Sequence, residues 1–315
     1  MGCMPASYAY LGPEGTFTEV ALRTLPETAT RELLPMVSVP AALDAVRAGE
    51  AEAAFVPIEN SVEGGITTTL DELVAGEPLM IYREVLLSIA FALLVRPGTR
   101  LEDVKTVTAH PAAQPQVRNW MKAHLPDALW ESAASNADGA RLVQEGRYDA
   151  AFAGEFAAAR YGLVPLETGI HDAENAQTRF VLVGRPARPA APTGADKTSV
   201  VIWQRDDHPG GLRDLLGEFA VRGVNLMLLQ SRPTGEGIGN YCFAIDAEGH
   251  ISDRRVAETL MGLKRSCLKV RFLGSYPRAD AASKAVRAPL AGTSDTEFVA
   301  AAEWVARCQD GRFPA

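Results

Sequence analysis

Hydrophobic and polar positions in the first part of the chain alternate between short apolar runs and longer runs with one apolar side. Short apolar runs bounded by glycine or proline are typical of buried strands, and an apolar period of three to four residues is typical of helices. Strands are predicted at residues 8–11, 33–39, 53–57, 86–95, 105–108, 164–166 and 181–183, and helices are predicted to begin near residues 16, 40, 66, 111, 135 and 155. This succession predicts an α/β unit.

One segment of this pattern occurs twice. Residues 49–55, Gly-Glu-Ala-Glu-Ala-Ala-Phe, resemble residues 146–152, Gly-Arg-Tyr-Asp-Ala-Ala-Phe, and each follows a helical run and leads into a buried strand. The repeat predicts two lobes of similar design. Chain crossings near residues 83–85 and 167–173 would leave a hinged cleft, and such clefts exclude water when they close.

The pattern changes after residues 186–192, a linker rich in alanine, proline and arginine. Beyond it the predicted order is strand 198–203, helix 212–219, strand 226–232, strand 241–245, helix 256–263 and strand 268–272. This order predicts a small ferredoxin-like sandwich. The remaining residues, 280–315, are alanine-rich with a short helix predicted at residues 297–307, and no function is assigned to them.

The composition is that of an ordinary globular protein. With 315 residues, of which 47% are hydrophobic, the chain can form two or three cores. The longest apolar run, residues 86–95, is too short to cross a bilayer, and the N-terminus lacks a basic region followed by an apolar one. A cytoplasmic protein without a membrane partner is therefore expected.

Charge and cysteine usage exclude further classes. The net charge is −8 and no basic run occurs, which argues against a nucleic-acid partner. An anionic substrate would therefore need a local positive pocket. Four scattered cysteines form no C-x-x-C pair and have no neighbouring histidine set, so neither a metal site nor a disulfide framework is expected. They are Cys3, Cys242, Cys267 and Cys308.

Two glycine-containing turns follow predicted strands. Residues 12–15, Gly-Pro-Glu-Gly, precede the helix near Thr16, whose free N–H groups can hold an anion; a plain strand-to-helix turn is the alternative. Asn60 and Ser61 come at the carboxyl end of a strand, where α/β sheets present ligand groups, and Gly64 allows close backbone approach to a ligand. The alternative is that Asn60 and Ser61 only satisfy the turn backbone.

The most informative stretch is residues 175–180, Asn-Ala-Gln-Thr-Arg-Phe, which runs directly into the predicted strand at residues 181–183. A hydroxyl and a guanidinium so close to a buried strand are held more rigidly than on a free loop, which suits catalysis. Thr178 is therefore interpreted as the reacting group. The alternative is a threonine that only begins a strand.

Three motifs together resemble those of the prephenate dehydratase family: residues 12–18 (Gly-Pro-Glu-Gly-Thr-Phe-Thr), 57–64 (Pro-Ile-Glu-Asn-Ser-Val-Glu-Gly) and 178–180 (Thr-Arg-Phe). The second unit resembles the ACT regulatory domain of that family, with Gly-Gly-Leu at residues 210–212 and Gln-Ser-Arg-Pro at residues 230–233. The likeness covers roughly residues 6–277, and several motifs in order are far more specific than any one of them.

The resemblance implies an α/β fold: a two-lobed catalytic domain like the type II periplasmic binding proteins, and a ferredoxin-like βαββαβ ACT domain. The catalytic domain is expected at residues 1–185, with a first lobe of about residues 1–84 and 172–185 and a second lobe of about residues 85–171. A linker at residues 186–197, the ACT domain at residues 198–277 and a tail at residues 278–315 would follow.

The resemblance also implies conversion of prephenate to phenylpyruvate, water and carbon dioxide in L-phenylalanine synthesis, without a cofactor. Thr178 is expected to donate a hydrogen bond to the departing oxygen. Arg179 is expected to pair with a carboxylate or to orient the loop, and Phe180 to pack under the substrate ring or in the core.

Substrate contacts are expected from Thr16, Asn60, Ser61, Gly64, His110 and Ser135. For His110 a helix-start role is the alternative, and Glu63 is expected to fix its loop, because a carboxylate repels a dianion. Ala109, Ala112 and Asn136 stand where the family usually has serine, glutamine and threonine. Because of these departures, arogenate as substrate, a prephenate decarboxylation without aromatisation and a non-catalytic amino-acid sensor stay open.

ACT domains pair side by side and bind amino acids at the shared interface, so the resemblance implies feedback inhibition by L-phenylalanine and a homodimer or homotetramer. The expected effector residues are Gly210, Gly211, Leu212, Asn225, Gln230 and Ser231. Gln230 stands where the family has glutamate, which removes a possible charge partner for the ammonium group of an amino acid. The alternative is that this domain only dimerises.

Overall fold

The computed structural model describes residues 6–173, 175–206, 208–234, 241–281 and 288–312. The chain divides into two compact units. Unit 1 comprises Met1–Glu72 and Val85–Arg185, and unit 2 comprises Leu73–Glu84 and Pro186–Ala315. No helix in the described ranges has the length and apolar character needed to cross a bilayer.

The elements up to residue 184 alternate between strands and helices, as predicted. In chain order they are β1 Ser7–Leu11, α1 Phe17–Arg23, β2 Glu32–Met36, α2 Val39–Ala48, β3 Ala53–Asn60, β4 Gly64–Gly65, α3 Thr67–Val74, β5 Met80–Ser88, β6 Phe91–Val95, β7 Thr106–Ala109, α4 Gln114–His124, β8 Leu129–Ser132, α5 Asn136–Gln144, β9 Ala150–Ala153, α6 Ala157–Tyr161, β10 Val164–Ile170 and β11 Gln177–Gly184. Short 3₁₀ turns lie at Pro26–Thr30, Leu101–Asp103 and Pro111–Ala113.

The first lobe is built on a sheet with the strand order β2-β1-β3-β11-β5, and β4 pairs with β3. β1 runs parallel to β2 and β3, whereas β11 runs antiparallel to β3 with Thr178 opposite Asn60. Tyr10, Phe55 and Phe180 form its core together with α1. The antiparallel pairing therefore brings two predicted site residues, far apart in sequence, side by side.

The second lobe is built on a sheet with the order β10-β6-β9-β7-β8. Its core contains Phe91, Leu93, Val107 and Phe152, all almost completely buried. The two copies of the repeated segment lead into β3 of the first lobe and β9 of the second, after α2 and α5 respectively. The prediction of two lobes of similar design is confirmed.

The single strand predicted at residues 86–95 is wrong. The structure has β5 ending at Ser88 in the first-lobe sheet and β6 beginning at Phe91 in the second-lobe sheet. Ser88 is the one polar residue in this run, and the following residues 89 and 90 are Ile-Ala, so no glycine or proline marks the break. The chain thus crosses between lobes a few residues later than predicted, and a single serine is too weak a signal to divide an apolar run.

Unit 2 contains the predicted β-α-β-β-α-β order, followed by one more helix. Its elements after the linker are β12 Asp196–Trp203, α7 Gly211–Ala220, β13 Leu226–Pro233, β14 Tyr241–Glu248, α8 Arg254–Ser266, β15 Lys269–Pro277 and α9 Asp295–Gln309. The sheet order is β13-β14-β12-β15. Leu215 and Phe219 of α7 and Leu263 of α8 pack on Val200 and Ile202 of β12, which confirms the ferredoxin-like sandwich.

The other side of this sheet carries buried polar groups that meet the segment Leu73–Glu84 of unit 2. Lys197 Nζ lies 2.8 Å from Glu84 Oε2, and both side chains are almost completely buried. Arg271 donates to the Leu73 carbonyl at 3.0 Å. A Cβ on Gly274 would lie 2.3 Å from the Ile81 carbonyl oxygen, so only glycine allows this close approach. The sequence pattern had grouped residues 73–84 with the first lobe.

Candidate active site

A cavity of about 680 Å³ lies in unit 1 and is lined by residues of both lobes. Of the residues expected to contact or transform substrate, the lining contains Thr16, Asn60, His110, Ser135, Thr178 and Phe180. Ser61, Gly64 and Arg179 are not part of it. The structure therefore brings most of the predicted set together around one space, although the set is spread over more than half of the chain.

The hydroxyl of Thr178 is held by the side chain of Asn60. Asn60 Nδ2 donates to Thr178 Oγ1 at 2.9 Å, and both residues are more than nine-tenths buried at the cavity wall. Asn60 Oδ1 accepts from the backbone N–H groups of Val62 and Glu63 at 2.8 and 3.2 Å. Because these two donors fix the orientation of the amide, Thr178 Oγ1 must be an acceptor toward Asn60. Its own hydrogen has no acceptor within the described ranges.

Arg179 faces away from the cavity, although its neighbours on both sides line it. Successive side chains of a strand point to opposite faces, so Thr178 and Phe180 share one face and Arg179 takes the other. Arg179 is 4% exposed, and its Nε lies 3.0 Å from Glu59 Oε2 on the paired strand. Phe180 lines the cavity and stacks on Phe55 with a centroid distance of 5.5 Å.

At the start of α1, where the sequence predicts an anion site, the protein itself bonds the Gly15 N–H and the Thr16 hydroxyl. Gly15 N donates to the Glu19 carboxylate at 2.6 Å, and Thr16 Oγ1 caps the helix by accepting from Glu19 N at 3.3 Å. Thr16 also donates to the Leu11 carbonyl at 3.4 Å. Of the two alternatives for this turn, the plain strand-to-helix connection therefore agrees with the structure.

Ser61 and Gly64 serve the turn between β3 and β4. Ser61 Oγ accepts from Gln177 N at 2.9 Å, and Ser61 N donates to the Gln177 carbonyl at 2.9 Å. Gly64 is exposed with a φ of 86°, a left-handed conformation that favours glycine. For Ser61 the structure thus favours backbone satisfaction over ligand contact, whereas Asn60 satisfies the turn backbone and also lines the cavity.

His110 and Ser135 form the wall on the second-lobe side. His110 Nδ1 accepts from Ala112 N at 3.2 Å, so the ring proton is on Nε2. Burial lowers the pKa of His110, which favours this neutral form. Ser135 Oγ caps α5 by accepting from Asp138 N at 2.9 Å. Asn136 Oδ1 accepts from His110 N at 3.0 Å and so links the starts of two elements.

The cavity offers hydrogen-bond donors but no cationic side chain among its described lining residues. Its carboxylates are Glu14, Glu63 and Asp138. Glu14 pairs with Arg160, and Asp138 pairs with Arg141 at 2.7 Å, so only Glu63 lacks an ion pair within the described chain. Burial raises the pKa of Glu63. In the same ranges, no group of three or more His, Cys, Asp or Glu side chains could hold a metal ion.

Gln116 also lines the cavity, although no motif of the sequence predicted a role for it. Gln116 is 5% exposed, and its Nε2 donates to the Ala112 carbonyl at 2.8 Å. Its Oε1 is buried without a partner within the described ranges. A glutamine next to the fully buried Val117 on a helix with an apolar side was the available signal.

The expected effector residues lie in two places in unit 2. Gly210 precedes α7 with a φ of 92°, and a Cβ on Gly211 would lie 2.7 Å from Gln204 Nε2. Leu212 follows in α7 and is exposed. Asn225 lies just before β13, and its carbonyl accepts from Glu248 N at 2.8 Å. Gln230 and Ser231 lie on β13. β13 is an edge strand, and Gln230 Oε1 is buried without a partner within the described ranges.

The fold and the cavity define a class: a two-lobed scaffold of the periplasmic-binding-protein type, joined in one chain to a βαββαβ unit of the ACT type. The chain belongs to the prephenate dehydratase family, since the model described as prephenate dehydratase matches residues 8–188. The model described as ACT domain matches residues 198–265.

Relatives of known name agree with this assignment. A prephenate dehydratase of Mycobacterium tuberculosis (strain H37Rv) is 47% identical over 312 residues, which is 96% of this chain and 94% of the relative. One of Mycobacterium ulcerans is 49% identical over 280 residues, 86% of this chain and 89% of the relative. A solved prephenate dehydratase of Arthrobacter aurescens, in complex with L-Phe, has a TM-score of 0.90 and 46% identity over 97% of this chain and all of that one.

Proposed function

We propose that this chain converts prephenate to phenylpyruvate, water and carbon dioxide as a step of L-phenylalanine synthesis. Membership of the family supports the reaction. The observation that carries the proposal is the Thr178 hydroxyl, which accepts a hydrogen bond from Asn60 and keeps its own hydrogen for the cavity.

The reaction itself needs few charged groups. As the bond between the ring and its carboxylate breaks, the electron pair enters the ring and the carboxylate leaves as carbon dioxide. The bond between the ring and its hydroxyl oxygen breaks with the electron pair on oxygen, so the oxygen must gain a proton to leave as water. Aromatisation drives both events, and a donor at the departing oxygen is the main requirement. General-acid assistance typically accelerates such a step by about 10²–10⁴-fold.

Thr178 is suited to be this donor because of Asn60. An N–H donating to the threonine oxygen polarises the hydroxyl and makes its hydrogen a stronger donor. The same bond directs that hydrogen away from Asn60, and a donor fixed before the reaction needs no reorganisation as charge develops on the departing oxygen. Phe180 forms an adjoining apolar wall. Arg179 is a positioning residue that ties β11 to β3 through Glu59.

Substrate binding rests on neutral donors, because the described lining holds no cationic side chain. The donors His110 Nε2–H and the Ser135 hydroxyl line the same space as Thr178. A carboxylate that must leave as carbon dioxide loses its charge in the transition state. A cation would therefore bind the charged ground state more tightly than the transition state and so raise the activation barrier. Neutral donors raise that barrier less.

The product formed from prephenate tests the proposal against its rivals. Phenylpyruvate absorbs strongly in alkali, so its appearance with the purified protein supports dehydration. A decarboxylated product that is not aromatic, or prephenate left intact, contradicts the proposal and favours a decarboxylase or a non-catalytic sensor. Arogenate, offered in place of prephenate, should give lower kcat/KM, since among the described lining residues Glu63 is the only carboxylate without an ion pair that would favour its ammonium.

L-Phenylalanine is the effector that we propose for unit 2. The ACT match and the L-Phe complex of the Arthrobacter aurescens relative support it. Gln230 Oε1 is an unsatisfied buried acceptor on β13 and would accept a hydrogen bond from the ammonium group. A regulator must bind one state of the protein better than another, which a domain that only dimerises does not do.

Calorimetry and inhibition by L-phenylalanine test this assignment together. We expect saturable binding with inhibition of turnover, and Gln230→Leu should weaken binding about tenfold while basal turnover stays unchanged, because one hydrogen bond to a charged group is lost. Binding without inhibition, or no binding, contradicts the regulatory role and leaves dimerisation as the alternative.

The domain bounds, the oligomeric state and the cellular location complete the proposal. We assign the catalytic domain to residues 1–185, the linker to 186–197, the ACT domain to 198–277 and the tail to 278–315. A homodimer or homotetramer through the ACT domains would show in analytical ultracentrifugation as two or four times the 33.7 kDa of one chain. The cytoplasmic location stays a prediction.

A further inference from the structure

The proposed substrate has two carboxylates, and the cavity must hold at least one of them without a cationic side chain. At the first-lobe helix start, the Glu19 carboxylate already takes the Gly15 N–H, and the Thr16 hydroxyl already accepts from Glu19 N and donates to the Leu11 carbonyl. Further partners for a carboxylate lie elsewhere in the lining. On the second-lobe side the polar groups are His110, Gln116, Ser135 and Asn136, together with Asp138.

The orientation of the Asn136 side-chain amide is fixed by a hydrogen bond. It is the first residue of α5, directly after the Ser135 cap. Its Oδ1 accepts from His110 N at 3.0 Å. Because only the carbonyl end of the amide can accept, this bond fixes the orientation of the amide. Nδ2 then carries two N–H donors, and they have no acceptor among the described residues.

The neighbours of Asn136 leave this position open for an anion. The nearest carboxylate along the helix, Asp138, is turned to Arg141 at 2.7 Å. His110 presents Nε2–H, because its Nδ1 is occupied by Ala112 N. The start of α5 adds the partial positive charge of a helix N-terminus. A neutral amide, a neutral imidazole and a helix start thus face the cavity together.

We propose that Asn136 binds a carboxylate of the substrate through Nδ2 and, by its Oδ1 bond to His110, aligns the imidazole with the same carboxylate. The identity of the ligand rests on the proposed function, whereas the preference for an anion rests on the amide orientation. Asn136 is then a residue that selects for a dicarboxylate, and its acceptor and donor ends have separate duties.

Asn136→Asp separates these two duties. The aspartate keeps the size of the side chain and an oxygen that accepts from His110 N, but it replaces the donor end with a charged acceptor. We expect the KM for prephenate to rise at least tenfold, and up to about a hundredfold, because a charged hydrogen bond becomes a repulsion. The kcat should change less than threefold, since Thr178 and Asn60 are untouched.

Asn119→Asp is the matched control. It makes the same change on the exposed side of α4, outside the cavity lining, and should leave the KM at the wild-type value. Asn136→Ala removes both ends of the amide and should raise the KM less than Asn136→Asp, because it adds no repulsion. A thermal unfolding midpoint for each variant shows whether the fold is kept.

The KM values of the Asn136 variants decide whether the proposal stands. A wild-type KM for Asn136→Asp, or a rise no larger than that of Asn136→Ala, overturns the proposal. Should the wild-type protein leave prephenate intact, the proposed function fails by itself, and the calorimetric Kd of unreacted prephenate for wild type and Asn136→Asp still tests Asn136. An equal Kd for the two proteins would then overturn the inference.

Discussion

At the scale of single residues, Asn60 contributes both ends of its side-chain amide, whereas its position at a strand end predicts only a ligand contact or a bond to the turn backbone. One amide accepts from two N–H groups of the following turn and donates to the Thr178 hydroxyl. The turn and the hydroxyl therefore cannot move independently. Asn60 is 8% exposed, so water does not readily replace it as the donor.

Asn60→Asp tests this coupling with little change in shape. The aspartate still accepts from Val62 N and Glu63 N, but it offers no hydrogen to Thr178. The threonine hydroxyl would then donate to the carboxylate rather than to the substrate. We expect the kcat to fall about 10²-fold, as on loss of one donor that acts in the transition state, with an unchanged unfolding midpoint. An unaltered kcat would show that Asn60 does not orient Thr178.

Glu63 gives the cavity a dependence on pH. Burial raises its pKa above the ordinary 4.5, so the carboxyl is neutral below this raised pKa and ionised above it. Because ionised Glu63 repels a dianionic substrate, the KM for prephenate should rise as the pH increases through the raised pKa. Glu63→Gln should give a KM that is lower at neutral pH and flat across this range. A wild-type KM with the same flat profile would contradict the argument.

Placement at the cavity was predictable for residues whose motifs lie at the end or start of a strand or at the start of a helix, such as Asn60, Thr178 and Ser135. The placement of Ser61 was not predictable, because the direction of a side chain in a turn depends on backbone angles that composition does not specify. The placement of Arg179 was predictable, because alternation along a strand puts it on the face opposite Thr178 and Phe180.

At the scale of elements, local periodicity predicted the order of helices and strands but not where one apolar run divides. β5 and β6 belong to different sheets although only Ser88, at the end of β5, interrupts the apolar run between them. The sequence pattern also did not predict that the segment Leu73–Glu84 belongs to unit 2. This grouping depends on contacts of Lys197, Arg271 and Gly274, which lie 113 to 198 positions from their partners in the segment.

Lys197→Met tests the strength of this packing. It leaves the Glu84 carboxylate buried without its ammonium partner, and removing one member of a buried ion pair costs about 3–5 kcal/mol. We expect urea unfolding of the full chain to show a transition at lower urea concentration. Adding Glu84→Gln should recover part of the loss, since the amide carries no charge and still accepts from Ala279 N. Equal stability of the single variant and wild type would contradict a buried pair.

At the scale of the whole molecule, the two units alternate along the chain. Residues 73–84 of unit 2 interrupt unit 1, so the chain joins the units at Leu73 and Val85 as well as after Arg185. The ferredoxin-like unit was predictable from its order of elements, and the two-lobed α/β unit was predictable from the repeated segment, whereas the likeness to periplasmic binding proteins followed only from the family resemblance. The assignment of residues 73–84 to unit 2 was not predictable, since it depends on contacts between segments that are distant in sequence.

The central claim is that a threonine hydroxyl, oriented by an asparagine, helps a ring lose its oxygen as it becomes aromatic. The most direct measurement is the rate of phenylpyruvate formation by Thr178→Val, with Thr178→Ser as its matched control. The account predicts a kcat lower by about 10²–10⁴-fold for the valine variant, a KM within a few-fold of wild type, and a serine variant that keeps most of its turnover. Turnover by Thr178→Val at the wild-type rate would contradict it.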